Sequence, residues 1–351
     1  MSKELIFVPL GGVGEIGMNL ALYGYNGKWL MVDCGLTFAN DDLPGIDLIF
    51  PDPTFIAERQ KDLLGLVLTH AHEDHIGAVQ YLWPLLKCPV YATPYTANLL
   101  QRKLREANLG DAVPLNVVAN GGQVELGDFS ISYIPVTHSI LEAHSLAITT
   151  PAGTVVHTGD WKLDPEPLVG PVTDEAALRA VGDKGVLALI CDSTNVMNEG
   201  RSRSESEVRS SLIDLIKTLS GRVVVTTFAS NVARIATIAK AAEASGRSLV
   251  LAGLSFRRNV EAARACGYLG DIPEFLDEDE AGYIPRDKIL ILCTGCQGEP
   301  RGALSRVAFH DHRHITLESG DNVIFSSKII PGNERSIGRV QNRLIYDNVK
   351  V

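Results

Sequence analysis

Thr69-His70-Ala71-His72-Glu73-Asp74-His75-Ile76-Gly77 places three histidines and an aspartate within six residues, in a chain that has only 9 histidines. The residues just before it, Leu63-Leu64-Gly65-Leu66-Val67-Leu68, read as a short buried strand. A strand that stops at such a cluster delivers it to the edge of a sheet, where sites are commonly built. Neutral imidazole and carboxylate are the usual ligands of zinc and similar divalent ions. On a tight loop entering a helix, His70 and His72 can hold one metal, and Asp74 and His75 a second. The plain alternative is a solvated turn that happens to be rich in histidine.

Zinc takes about four ligands per ion, so two ions need more than this loop supplies. Two later strand ends offer the rest. Ile134-Pro135-Val136-Thr137-His138-Ser139 ends a strand in a histidine. Residues 145–150 and 153–158 form a hairpin that runs out at His157-Thr158-Gly159-Asp160-Trp161. His138 is the candidate third histidine of the first metal. Asp160 is the candidate bridge, since a shared carboxylate suits two metals ~3.5–4 Å apart. His144 competes with His138, but it falls within the loop that starts at Ile140 rather than at a strand end. His157 lies inside its strand and reads as a packed or supporting histidine.

Upstream, residues 18–25 and 28–33 flank Asn26-Gly27 and read as a β-hairpin. Asp33 ends it, where its carboxylate either supports metal ligands or merely terminates the strand. Residues 12–17 satisfy G-x-G-x-x-G after an opening strand at 4–10. No helix follows, so the dinucleotide reading fails, and the glycines read as a tight turn close to the site. Residues 40–54 read as a surface loop and 55–62 as a short helix. Residues 76–86 and 94–107 have helical spacing.

Composition sets the bounds. At 351 residues two domains are expected, and 45% hydrophobic with 21% charged residues is ordinary for a globular protein. No apolar run approaches the ~20 residues that span a bilayer. Met1-Ser2-Lys3-Glu4 lacks a charged-then-apolar signal region. The expectation is a cytoplasmic protein without membrane partners, its six scattered cysteines reduced. Cys293-Thr294-Gly295-Cys296 stands alone and reads as buried or incidental thiols. The net charge of −10 argues against a general nucleic-acid binder. It is unevenly spread, at −13 over residues 1–200 and +3 over residues 201–351. The second part is rich in arginine (Arg201, Arg203, Arg209, Arg257, Arg258, Arg301, Arg306, Arg335, Arg339 and Arg343). An acidic, metal-carrying half joined to an arginine-bearing half suits a phosphate-rich substrate, with an ordinary solvated surface as the alternative.

From residue 200 onward β and α segments alternate. Ser204-Glu205-Ser206-Glu207 opens a helix to Leu219 in the manner of a capping box. Residues 222–226, 248–252, 288–293 and 322–326 read as strands. Residues 231–244, 259–266 and 303–309 read as helices. The pattern predicts a parallel sheet flanked by helices. Asp277-Glu278-Asp279-Glu280 reads as a solvated acidic loop. Phe228-Ala229-Ser230-Asn231 follows a strand and opens a helix, a natural phosphate seat through free backbone N–H groups; a plain N-cap is the alternative.

The histidine stretch resembles the His-x-His-x-Asp-His signature of the metallo-β-lactamase superfamily. Further segments together resemble one branch of it, the ribonuclease J family of the β-CASP group. They are Gly11-Gly-Val-Gly-Glu-Ile-Gly17, Thr137-His-Ser-Ile140, His157-Thr-Gly-Asp160, Cys191-Asp-Ser-Thr-Asn195, Thr227-Phe-Ala-Ser-Asn231, Thr294-Gly-Cys-Gln-Gly-Glu-Pro300 and Ile330-Pro-Gly-Asn-Glu334. The resemblance implies an α/β fold, an αββα metallo-β-lactamase sandwich (residues 1–204) interrupted by an inserted β-CASP domain (residues 205–351). It implies two divalent ions, zinc foremost, and hydrolysis by metal-activated water. His70, His72, His138 and Asp160 would hold one ion; Asp74, His75 and Asp160 would hold the other, with Asp74 and His75 also catalytic. Asp33 would orient the histidine loop, and Asp192 is implied as an acidic residue near the metals, with a turn role as its alternative. Ala229, Ser230 and Asn231 would hold a substrate phosphate.

The implied activity is cleavage of RNA, 5′→3′ exonucleolytic with endonuclease activity, on 5′-monophosphorylated single strands, in RNA maturation and decay including rRNA processing. A dimeric or tetrameric homo-oligomer is implied as well. The family pattern also includes a His-x-Ser-Gly-His loop and a last ligand histidine after the insert. Neither occurs before Val351, and His310, His312 and His314 precede Ile330-Pro-Gly-Asn-Glu334 and do not match. The expectation is a sandwich left incomplete and a second metal one ligand short. Two other readings compete: a small-molecule hydrolase on the same metal core, and an inactive RNA-binding fragment.

Overall fold

The computed structural model describes residues 4–39 and 43–351. They form two compact units, Met1–Pro165 with Gly170–Ser202, and Glu166–Val169 with Arg203–Val351. The short excursion at 166–169 belongs to the second unit, where Ser204 Oγ donates to the Glu166 carbonyl at 3.0 Å. Residues 40–42 of the expected surface loop lie outside the described residues.

Two sheets make the first unit. The strands β1 (Ile6–Gly11), β2 (Leu20–Tyr25), β3 (Lys28–Val32), β4 (Thr37–Phe38), β5 (Leu48–Ile49), β6 (Leu63–Val67), β7 (Val90–Ala92) and β8 (Leu115–Val117) come first. Six of them form one sheet in the order β1-β2-β3-β6-β7-β8, and β4 pairs with β5 separately. Then β9 (Gln123–Leu126), β10 (Phe129–Pro135), β11 (His144–Thr150), β12 (Gly153–His157) and β13 (Ala188–Ile190) form the other sheet, ordered β13-β12-β11-β10-β9. The β2–β3 hairpin turns at Asn26 and Gly27, with φ of 51° and 77°, as an Asn-Gly turn of this kind requires.

The alternation of apolar residues faces the sheets toward each other. Tyr23, Leu30, Val32 and Val67 from the first pack with Phe129, Ile131, Tyr133, Leu146 and Ile148 from the second, all buried. The helices Val79–Leu86 and Pro94–Glu106 bury their apolar faces beside the first sheet. On the other side the layer is thin: the helix Glu175–Asp183 buries no residue, and Leu187 and Leu189 are 60% and 61% exposed. His144 does not lie in a loop, as its spacing implied; it opens β11, paired across from Pro135.

The second unit is a four-stranded parallel sheet of β14 (Val223–Thr226), β15 (Ser248–Ala252), β16 (Ile289–Cys293) and β17 (Asn322–Phe325), ordered β15-β16-β14-β17. Its strands are almost wholly apolar because they are covered on both faces. The helix expected from residue 259 begins at Leu254, set off by Gly253 at φ 117°. The acidic run is not a free loop. Asp277 and Glu280 close a capping box on the 3-10 helix Glu278–Tyr283. A further helix, Glu334–Tyr346, buries Ile337, Val340 and Leu344 and was not anticipated. Among the described residues no helix is long and apolar enough to cross a membrane.

Candidate metal centre

The site grows from the end of β6. After Val67 the chain leaves the sheet, and Thr69 and His70 are fully buried. His72 precedes a single turn of helix, Glu73–Ile76, which carries Asp74 and His75. That turn sits in a cradle of backbone. Asn19 N donates to the Asp74 carbonyl (2.9 Å), Cys34 N to the His75 carbonyl (2.7 Å) and Leu36 N to the Glu73 carbonyl (3.1 Å). Between them Gly35 lies so close that a Cβ there would stand 1.6 Å from the Asp74 carbonyl oxygen.

His138 and Asp160 arrive from the second sheet. Each lies three residues beyond a strand end, and the two segments are held together by a bridge between Thr137 and Lys162. Lys162 N donates to the Thr137 carbonyl at 2.8 Å. Gly159, at φ 55°, turns the chain after β12 so that Asp160 enters the cluster. Asp192 N donates to Thr158 Oγ1 at 2.9 Å, beneath this turn.

Donor atoms of His70, His72, His138 and Asp160 lie within 4.8 Å of one another, and so do those of Asp74, His75 and Asp160. His72 Nδ1 is 3.1 Å from both His70 Nε2 and His138 Nε2. A tetrahedral zinc site with Zn–N of ~2.0–2.1 Å has ligand–ligand edges of about 3.3 Å, so the three nitrogens fit such an ion. The Asp160 carboxylate reaches both groups, with Oδ1 3.4 Å from His75 Nε2 and Oδ2 3.6 Å from His138 Nε2.

Asp33 fixes the direction of two rings. It is buried at φ 59° and accepts from Thr69 N, from Thr69 Oγ1 and from His75 Nδ1, each at 2.8 Å. His75 therefore presents Nε2 inward. The Thr69 hydroxyl, having given its proton to Asp33, accepts from His70 Nδ1 at 3.0 Å, which leaves His70 Nε2 free as well. Asn19 completes the support with its Nδ2 3.1 Å from the Asp74 carbonyl and 3.2 Å from His75 Nε2.

The charges follow from burial and from this company. Burial, with His75 and His72 beside it, holds His70 well below the ordinary imidazole value. Burial chiefly, then His72, brings His138 down to about 3. Burial likewise lowers His72, against the pull of Asp74 and Asp160. These three rings are neutral at neutral pH, the state a cation needs. For His75 burial also disfavours charge, but Asp74, Asp33 and Asp160 outweigh it and raise the ring well above the ordinary value. Burial works against ionisation of Asp160, and His75, His70 and His138 overcome it, so its carboxyl is held below the usual range.

Other sequence-predicted residues stand elsewhere. His144 turns away, its Nδ1 at the Glu142 carbonyl (2.8 Å) and its Nε2 at Asn120 Oδ1 (2.6 Å). His157 bonds the Tyr23 hydroxyl at 2.9 Å. The Asp192 carboxylate accepts from Thr194 N and Oγ1, closing a local turn. In the second unit, Asn231 caps the helix Val232–Ala244 by accepting from Arg234 N at 2.9 Å, next to Ala229 and Ser230 in the loop after β14. Arg234 fastens this loop: it pairs with Glu205 (2.6 and 3.0 Å) and donates to the Ser326 carbonyl and hydroxyl. Cys293 and Cys296 are both buried free thiols, which burial pushes up, Cys296 to about 11. Asn19, Thr69 and Gly35 are the contributors that sequence reasoning gave no role. The glycine turn just before Asn19 and the Asp33-Cys34-Gly35 strand end were the only signals.

Comparison with known proteins agrees with the geometry. Residues 15–225 match the model of the metallo-beta-lactamase superfamily, and residues 220–344 match that of the ribonuclease J beta-CASP domain. A ribonuclease J from Sinorhizobium meliloti is 50% identical over 99% of this chain and 63% of its own length. One from Mycolicibacterium smegmatis is 46% identical over 93% of this chain and 59% of its own. The chain thus spans about three fifths of the length of these curated relatives. A protein of unknown function from Enterococcus faecalis shares the fold, with a TM-score of 0.68 at 19% identity, over 99% of this chain and 87% of that one. This chain belongs to the metallo-β-lactamase superfamily and carries the ribonuclease J β-CASP domain.

Proposed function

We propose that the chain is the metal-binding and β-CASP part of a ribonuclease that hydrolyses phosphodiester bonds in single-stranded RNA. The observation that carries this reading is the Asp160 carboxylate, set between the His138 and His75 rings, in a chain half identical to a ribonuclease J. Residues 1–204 are read as the metallo-β-lactamase part and residues 205–351 as the β-CASP part. His70, His72, His138 and Asp160 would hold one divalent ion; Asp74, His75 and Asp160 would hold the other, with zinc the metal that suits imidazole and carboxylate. When bound, such ions supply Lewis-acid charge to the phosphoryl oxygens and acidify water for attack.

The chain's own residues do the rest. Asp33 holds the proton on His75 Nδ1, keeping the opposite nitrogen turned inward. Asp74, a third exposed, stands at the accessible side, where its carboxylate orients the attacking water. Ala229, Ser230 and Asn231 are read as the seat of a substrate phosphate, the 5′-monophosphate of an RNA end. Asp192 is read as a support for the Asp160 turn. The activity we assign to the whole protein is 5′→3′ exonucleolytic with endonuclease activity, in the cytoplasm, in RNA maturation and decay, by a homo-oligomer.

Asp160→Ala tests the reading. Cleavage of a 5′-monophosphorylated RNA should be lost and bound metal should fall. Retained cleavage with unchanged metal content overturns the bridging role. Competition by a small ester, with no competition by RNA, would point to a small-molecule hydrolase instead. RNA binding with fewer than two metals per chain and no cleavage would mark an inactive RNA-binding fragment.

A further inference from the structure

One large side chain beside the metal centre is used by nothing described above. Trp161 directly follows Asp160 and is 38% exposed. The other two tryptophans are engaged, Trp29 edge-on to Phe55 at 5.2 Å and Trp83 through its Nε1 donating to the Cys88 carbonyl at 2.8 Å. Trp161 makes no hydrogen bond and no ring contact among the described residues. The backbone just after it is nonetheless held. Lys162 bridges to Thr137, and Thr137 Oγ1 donates to the Lys162 carbonyl (2.5 Å) and accepts from Asp164 N (3.2 Å). Lys162 itself is paired with Asp164 at 2.9 Å. Because Thr137 pairs antiparallel with Lys162, the register sets Trp161 opposite His138.

A half-open indole that follows Asp160 directly in the chain and stands opposite His138 in register has a clear chemical use. An indole face is a platform for a nucleobase, and such stacking is tolerant of sequence because every base has a π-face. Exposure of so large an apolar ring costs solvation free energy unless a partner covers it. We propose that Trp161 is a substrate-positioning residue that stacks on the base of the nucleotide flanking the scissile phosphate. Stacking there aligns the phosphate with Asp160 without reading the base, which suits an enzyme that must accept any sequence. The inference rests on the ribonuclease reading of the site.

The test is binding of single-stranded RNA oligonucleotides to the full chain in EDTA, so that cleavage does not intervene. Each oligonucleotide carries a 2-aminopurine or an abasic nucleotide at one position, scanned along its length. In the wild type, 2-aminopurine fluorescence should be quenched at one position. Trp161→Ala should abolish that quench and weaken binding by roughly tenfold. Trp161→Phe should restore most of both, and Trp161→Leu, which is apolar without a π-face, should not. With the abasic nucleotide at the quenched position, the wild type and Trp161→Ala should bind equally, an equality that a merely structural defect would not produce. If Trp161→Ala binds and quenches as the wild type does, stacking is refuted and the ribonuclease reading stands. If the wild type neither binds these oligonucleotides nor cleaves RNA with metal restored, the ribonuclease reading falls and the stacking role with it.

Discussion

Replacing Gly35 by alanine adds one methyl group at the tightest place in the first unit. The new Cβ would sit 1.6 Å from the Asp74 carbonyl oxygen, 2.0 Å from its carbon and 2.7 Å from His75 N. To reach an ordinary contact of ~3.5 Å, the two backbones must part by roughly 2 Å. The conformation of residue 35 itself is not the obstacle, since its φ is not in the left-handed region. Four hydrogen bonds hold this junction: Gly35 N to the Asn19 carbonyl, Asn19 N to Asp74, Cys34 N to His75 and Leu36 N to Glu73. Overpacking costs ~1–3 kcal/mol, and losing two of these bonds at ~0.5–1.5 kcal/mol each adds to it. A total of about 4 kcal/mol corresponds to a fall in melting temperature of roughly 10 °C for a unit of this size. The displaced backbone carries Asp74 and His75, so metal content and RNA cleavage should fall with it. Thermal denaturation and elemental analysis on the same preparation measure both. Gly182→Ala is the control: it lies in the helix Glu175–Asp183 with nothing within 4 Å of the added methyl. That change should hold stability or raise it by up to about 1 kcal/mol. A Gly35→Ala protein that melts with the wild type and keeps its metal would refute the close packing on which this reasoning depends.

Two further substitutions probe different parts of the chain. Asp33→Asn keeps one acceptor oxygen but turns the other into an N–H donor, so Thr69 N on one side and Thr69 Oγ1 with His75 Nδ1 on the other can no longer all be accepted. Metal affinity should drop roughly 10–100-fold, measured by competition with a chromogenic chelator, and an affinity equal to wild type would remove Asp33 from the site. His312 gives a pH signature in the second unit. It is buried, its Nδ1 accepts from His314 N (3.3 Å) and Ile315 N (3.2 Å), and burial above all holds it below the ordinary value of 6.5. The unfolded chain therefore takes up the proton first as pH falls. The stability that neutral His312 contributes is whole above about pH 6.5 and is lost as pH drops below it. His312→Asn keeps an acceptor that does not titrate, so in urea unfolding its stability deficit against wild type should shrink from about pH 7 to about pH 5; a constant deficit would show that folding does not shift the ring's titration.

The hairpin, the strand ends and the parallel sheet could be read from the sequence because each is a local pattern. Asn26-Gly27 between two apolar runs dictates its turn chemistry, and a buried strand that ends in histidine announces itself. What stayed hidden depends on contacts between residues far apart in the chain. Asn19 reaches Asp74 from 55 residues away, and nothing about an asparagine after a glycine turn reveals that. Gly35 looked like an ordinary residue at a strand end, yet its lack of a side chain is what admits the helical turn Glu73–Ile76. Arginine was misleading in the opposite sense. Several in the second unit are spent on structure: Arg222 donates to the Thr316 carbonyl, Arg247 to the Leu219, Gly221 and Ile289 carbonyls, and Arg257 pairs with Asp277. Charge counted along a chain does not separate these from arginines left free for phosphate. The helix Glu334–Tyr346 was missed because its buried face needs only Ile337, Val340 and Leu344, three apolar positions set among charged and polar residues.

The two donor groups are not independent, and Asp33 is the reason. It belongs to neither, yet its two oxygens hold Thr69 and His75 at once. Through the Thr69 hydroxyl it sets the free nitrogen of His70 in the first group, and directly it sets that of His75 in the second. Asp160 joins the same two groups from the opposite sheet. A shift at Asp33 must therefore turn one ring of each group, while a shift at Asp160 removes an oxygen from each. The left-handed conformation of Asp33, at φ 59°, is uncommon for a residue with a side chain, and it is held by burial and three hydrogen bonds. Such local strain persists only where the surroundings over-determine it. Here they do so at the one point from which both halves of the centre are aimed.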